Sequence, residues 1–157
     1  MLRWIGGAVV GYIGMALVVF AGLSAAYTLM GADRAFRPGS YEVSAVWVVT
    51  SIVVGLAAAL LGGWLARKVG RDVRAPWILA GLVVVLGLAM ALPVVFAEQV
   101  AAGVRTGTVG VMDAMGQART PTWLLLFNPV LGALGVLLGG RAVGVGRDAD
   151  ARARIPG

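Results

Sequence analysis

Residues 75–97 read APWILAGLVVVLGLAMALPVVFA, 23 positions without one ionisable side chain. Coiled as an α-helix at about 1.5 Å per residue, this stretch covers about 34 Å, enough to cross a hydrocarbon core of about 30 Å. It is apolar on every face, which a helix on the surface of a soluble domain is not. Three more charge-free stretches flank it, Trp4–Ala32, Val43–Ala66 and Thr120–Gly140. The expected architecture is therefore an all-α integral membrane protein with spans at about 4–30, 43–66, 75–97 and 120–140. Their alternating direction gives four transmembrane helices in an antiparallel bundle. The whole of 1–157 reads as a single transmembrane domain, with 141–157 a short basic cytoplasmic tail that frays at the headgroups.

Composition narrows the chemistry. The chain is 60% hydrophobic and 13% charged, against about 25% charged for a soluble domain. Cysteine and histidine are both absent, so disulfides, thiolate or imidazole metal sites and histidine-ligated haem are excluded. No cofactor is expected. Lys68 is the lone lysine beside twelve arginines, and with abundant Ala, Gly and Val this usage points to a GC-rich bacterial genome.

The basic residues also orient the chain. Arg3, Arg67, Lys68, Arg71, Arg74, Arg141, Arg147, Arg152 and Arg154 fall on one side of the expected spans, and Arg34, Arg37, Arg105 and Arg119 on the other. The positive-inside rule then places both termini and the 67–74 connection in the cytoplasm of a multi-pass inner (cytoplasmic) membrane protein. The net charge of +6 is accounted for by anionic headgroups, and no nucleic-acid partner is expected. Trp4, Trp64 and Trp77 mark cytoplasmic span ends, and Trp47 and Trp123 outer ones, with Tyr27 and Tyr41 near the outer boundary. An indole settles at the headgroup level because its ring is apolar and its N–H needs a partner, so all five read as interfacial anchors. The first apolar run is too long for a signal-peptide core and continues beyond Ser24-Ala25-Ala26, so an uncleaved helix is expected.

Two halves of the chain resemble each other. Gly55–Gly63 (GLAAALLGG) aligns with Gly132–Gly140 (GALGVLLGG), Gly70-Arg71-Asp72 with Gly146-Arg147-Asp148, and Trp47 with Trp123. An internal repeat of this kind is compatible with tandem duplication of a two-helix hairpin, and equally with chance likeness among Ala-, Gly- and Leu-rich helices. Small residues at i, i+4 nominate the GxxxG-type packing faces: Gly7 and Gly11 on the first span, Gly55, Ala59 and Gly63 on the second, Gly135 and Gly139 on the fourth. Lipid supplies no hydrophobic drive between helices, so close backbone approach must carry their association.

Catalytic chemistry finds no residues to work with. No Asp, Glu, Lys or Arg lies within a span, whereas proton relays and ion-coupled transporters keep such a group at depth. There is no nucleophile–base pair, and an enzyme is not expected. Gly144-Val145-Gly146-Arg147-Asp148-Ala149 mimics a dinucleotide fingerprint but follows a membrane helix instead of a strand. Asn128-Pro129 is the candidate polar and kink site, because proline frees a carbonyl one turn earlier and the neighbouring amide can supply a donor. The outer segment 98–119 is longer than a hairpin requires. Part of 100–118 is expected to form a short helix at the outer interface with Val104, Val111 and Met115 facing the membrane or the bundle, and the segment is a candidate partner loop. The expected role is structural or accessory in a larger membrane complex, with the lipid bilayer as first partner. The alternative is a small permease or channel built as a homo-oligomer.

Overall fold

The computed structural model describes residues 2–96 and 110–153, and every regular element among them is helical. Helix α1 spans Leu2–Met30, α2 Ala32–Ala35, α3 Ala45–Gly70, α4 Arg74–Phe96, α5 Val111–Gln117 and α6 Thr122–Ala153. Four of these, α1, α3, α4 and the Thr122–Val143 part of α6, are long and apolar enough to cross a membrane.

The ends of the elements follow from local chemistry. The Ser44 side chain accepts a hydrogen bond from the Trp47 backbone N–H at 3.1 Å, which starts α3 two residues later than the apolar run suggests. Val43 and Ser44 instead belong to the preceding connection. At the other end Arg71 takes a left-handed conformation, φ 53°, and its N–H donates to the Arg67 carbonyl. Asp72 then accepts from the Arg74 N–H at 2.9 Å, and Pro76 sits in the first turn of α4, where it forfeits no hydrogen bond. One expectation is corrected at the far end: α6 runs on to Ala153, so Arg141–Ala153 continues the last span as helix instead of fraying after Gly140.

Packing inverts the pattern of a water-soluble protein. The buried centre consists of small side chains, Ala8, Ala59, Ala66, Ala75 and Ala80, with Leu79 and Val136 the only large ones. Large apolar groups point outward: Leu17 is 64% exposed, Met90 76% and Phe96 81%. In water such a surface would aggregate, whereas in lipid it is the solvated face. Helix α1 packs chiefly on α3, α3 on α6, α6 on α4, and α4 back on α1.

Candidate functional site

Two constructions stand out from the lipid-facing spans: a seam of backbone contact at the centre, and an aromatic cap at the end where α1, α3 and α6 meet the 31–44 and 110–121 connections.

Bare glycine backbones form the seam. A Cβ at Gly7 would lie 2.6 Å from the Ala66 carbonyl oxygen, and one at Gly11 2.6 Å from the Gly62 oxygen. Between α3 and α6, Gly63 lies against the Val136 carbonyl, Gly139 against the Leu60 carbonyl, and Gly135 against the Ala59 methyl. Ala59 is buried. Gly55 is a correction: a Cβ there would meet nothing within 4 Å, so it makes no close approach to a neighbouring helix. Gly62, Gly70 and Gly140, by contrast, have crowded Cβ positions without being nominated as packing residues. The doublets Gly62-Gly63 and Gly139-Gly140 were the available signal, since a helix touched on two sides needs small residues at adjacent positions.

The cap is built from segments far apart in sequence. Tyr27 from the last turns of α1 meets Phe36 edge-on at 6.2 Å and Trp47 of α3 at 6.0 Å, and Phe36 meets Tyr41 at 5.8 Å. Tyr27 and Phe36 are buried together with Ala35, Val43 and Ala114. Trp47 and Tyr27 are thus packed ring against ring, so at this end of the spans the two rings also serve protein packing. Trp77 and Trp123, at 62% and 57% exposed, keep the lipid-facing position.

Hydrogen bonds hold the connections in this place. The Ser44 hydroxyl donates to the Arg34 carbonyl at 2.5 Å, and the Ser44 N–H donates to the Ala35 carbonyl. The chain before α6 is tied to the first connection by two backbone bonds: Val43 N–H donates to the Arg119 carbonyl at 3.2 Å, and Arg119 N–H donates to the Tyr41 carbonyl at 2.9 Å. These form an isolated parallel bridge between Glu42 and Arg119, beside an antiparallel one between Phe36 and Val43. An exposed ion pair, Arg37 to Glu42 at 2.9 Å, adds at most about 1 kcal/mol.

Helix α5 covers the rings. Ala114 is buried against the cap, Val111 and Ala118 pack beside it, and Met115 is exposed at the rim. The expected short helix at 100–118 is therefore present as Val111–Gln117. Its inner face is occupied within the chain, and Val111 packs there on the bundle side, one of the two orientations expected for it. Val104 lies outside the described residues. Between α5 and the rings, lined by Leu23, Tyr27, Trp47 and Met115 among others, is an apolar cavity of about 30 Å³. That is room for about one water-sized body, far from the several hundred Å³ of a small-molecule site.

Asn128 and Pro129 part company. Pro129 is buried, and its ring fills the space beside Gly87 of α4. Asn128 is exposed and makes no hydrogen bond to any described residue, which corrects the expectation that it compensates the proline kink. No ionisable side chain is buried among the described residues, and no three His, Cys, Asp or Glu converge there. Compared with models of protein families, with curated proteins and with solved structures, the chain gives no match.

Proposed function

We propose that this protein is a structural or accessory subunit of a bacterial inner-membrane assembly. It is an antiparallel bundle of four spans that offers its aromatic cap, on the outer side, to a partner. The observation that carries this reading is the seam: the contacts of Gly63 with Val136 and of Gly139 with Leu60 close the centre backbone to backbone. A single copy then holds no polar path for a solute, and its distinctive construction lies at one end.

Orientation rests on charge. Arg67, Lys68, Arg71 and Arg74 crowd the turn between α3 and α4, with Arg3 and Arg141 at the same end of their helices. In the cap, Arg34, Arg37 and Arg119 are offset by Asp33, Glu42 and Asp113. This asymmetry favours a cytoplasmic turn and an outer cap. The contact pairs Gly7 with Ala66, Gly11 with Gly62 and Gly22 with Val54 run in opposite senses along α1 and α3, which supports the antiparallel arrangement.

The same reading includes a retained duplication at the central pair. Gly139 and Val136 lie 76 positions beyond Gly63 and Leu60, so the two α3–α6 contacts are each other's counterparts about a pseudo-two-fold axis. The flanking helices pack differently in the two halves: Gly11 of α1 faces Gly62 of α3, whereas Gly87 of α4 faces Pro129 of α6. Small-residue packing of the GxxxG kind therefore serves bundle closure in this proposal, strongest between α3 and α6.

Purification of the tagged full chain in mild detergent, with mass spectrometry, tests the role. Co-isolation of a defined partner at fixed stoichiometry is expected, and its loss on Met112→Asp, a 72% exposed position on the outer face of α5, would locate the contact. If the chain purifies without a partner and renders proteoliposomes permeable to a small solute, the oligomeric permease is the correct reading.

A further inference from the structure

Several polar side chains of the spans are satisfied within their own helices; among the described residues the Ser24 hydroxyl, enclosed inside the bundle, and the Asn128 carboxamide, exposed on its flank, are not. Thr28 donates to the Ser24 carbonyl at 2.8 Å, Thr50 to Val46 at 2.9 Å and Ser51 to Val48 at 2.9 Å, each within its own helix. Asn128 carries a carboxamide with two donors and an acceptor, exposed on the flank of α6, with no hydrogen bond to any described residue. It lies five residues beyond Trp123, about 7.5 Å deeper along the helix axis, and thirteen before Arg141, about 20 Å. With Trp123 at the headgroup level, Asn128 is in hydrocarbon, and its short side chain cannot snorkel back to water. An amide left unpaired there is costly, so a group that can both donate and accept must meet it at this depth.

We propose that two copies of this chain pair through α6, with their Asn128 carboxamides hydrogen-bonded to each other across a two-fold axis along the membrane normal. Two arguments favour a second copy over another occupant. A carboxamide is its own complement, each giving a donor to the other's oxygen. A two-fold axis normal to the membrane also puts both at the same depth without further design, which an unrelated helix would have to match by separate means. Phe127 and Val130, 46% and 52% exposed beside Asn128, supply apolar contact around the pair. The pairing does not depend on the accessory role, since the cap lies at the end of the bundle and Asn128 on its side.

The test uses the full chain in liposomes, labelled at a single introduced Gly110→Cys and followed by energy transfer as lipid dilutes the protein. Association that weakens about 3- to 20-fold in Asn128→Leu, the range for hydrogen bonds between membrane helices, and persists in Asn128→Gln is the expected result. In a separate experiment, Phe127→Cys should form a disulfide-linked dimer on oxidation, while Leu17→Cys, on the lipid face of α1, should not. A monomer at every dilution would overturn the proposal, as would unchanged association of Asn128→Leu or equal cross-linking at 127 and 17. Far-UV circular dichroism checks that the leucine variant is folded; if it is not, the cysteine comparison, made with Asn128 intact, decides alone.

Discussion

Gly63 and Gly139 each present a bare Cα to a carbonyl of the facing helix, so a methyl group at either would collide with backbone that cannot rotate away. Gly63→Ala and Gly139→Ala should each destabilise the bundle by about 1–3 kcal/mol through overpacking. Gly6→Ala and Gly81→Ala, where a Cβ meets nothing within 4 Å, should be neutral or stabilising by up to about 1 kcal/mol because alanine loses less backbone freedom in a helix. Unfolding in mixed micelles of rising dodecyl sulfate content, followed by circular dichroism, measures both pairs. If all four variants unfold together, the seam is not what holds α3 to α6. Sequence alone does not separate these cases. Small residues at i, i+4 mark helices able to approach, yet Gly55 has the spacing and no neighbour while Gly70 has a neighbour and was not nominated. Which flank of a helix is covered depends on crossing geometry, and a spacing rule carries no information about that.

At the scale of elements, the spans were readable and the cap was not. A run without charges long enough to cross a membrane has one economical structure, because an unpaired backbone amide in hydrocarbon is intolerable. The ends of α1 and α4 accordingly fall within two residues of the expected ones, as does the start of α3, while its last turn runs four residues further, to Gly70. The cap depends on Val43 and Tyr41 finding Arg119, a pairing between segments far apart that local periodicity cannot register. The pattern of 98–119 leaves open whether α5 lies on the leaflet, caps the bundle or receives a partner, whereas burial of Ala114 with half-buried Val111 beside it makes it a structural cover of the rings. Replacement of 111–117 by a Gly/Ser linker should thus leave the four spans inserted but lower the detergent unfolding midpoint. It should also open Trp47 to quenching by aqueous acrylamide, read in a background where the other tryptophans are phenylalanine. Unchanged stability and quenching would return α5 to the status of a free docking segment.

For the whole molecule, the proposed orientation can be tested with introduced cysteines, since the natural chain has none. The structure guides their placement. Gly70 is unsuitable because its Cβ would crowd Ala75, and Gly39 because its φ of 67° disfavours any side chain. Pro38→Cys and Gly110→Cys, both exposed in the cap, should react with an impermeant thiol reagent in intact cells. Val73→Cys, 57% exposed at the turn between α3 and α4, should react only after lysis. Labelling of position 73 in intact cells would turn the molecule upside down. The charge asymmetry behind this prediction was visible from the sequence, because topology is decided by summed loop charges and not by their detailed positions.

The tie between Tyr41, Val43 and Arg119 has a consequence for how the protein is made. Arg119 leaves the ribosome 76 residues after Val43, about 4–15 s later at 5–20 residues per second. Throughout that interval the first two helices can be inserted and paired, yet the Val43 N–H lacks its acceptor and the rings of Tyr27 and Trp47 lack the cover of α5. The nascent chain therefore passes through a stage with an apolar, hydrogen-bond-hungry face at the membrane surface. That face closes only when the start of the fourth helix arrives; in the proposed orientation this makes translocation of residues 110–119 the step that commits the newborn protein to its final form.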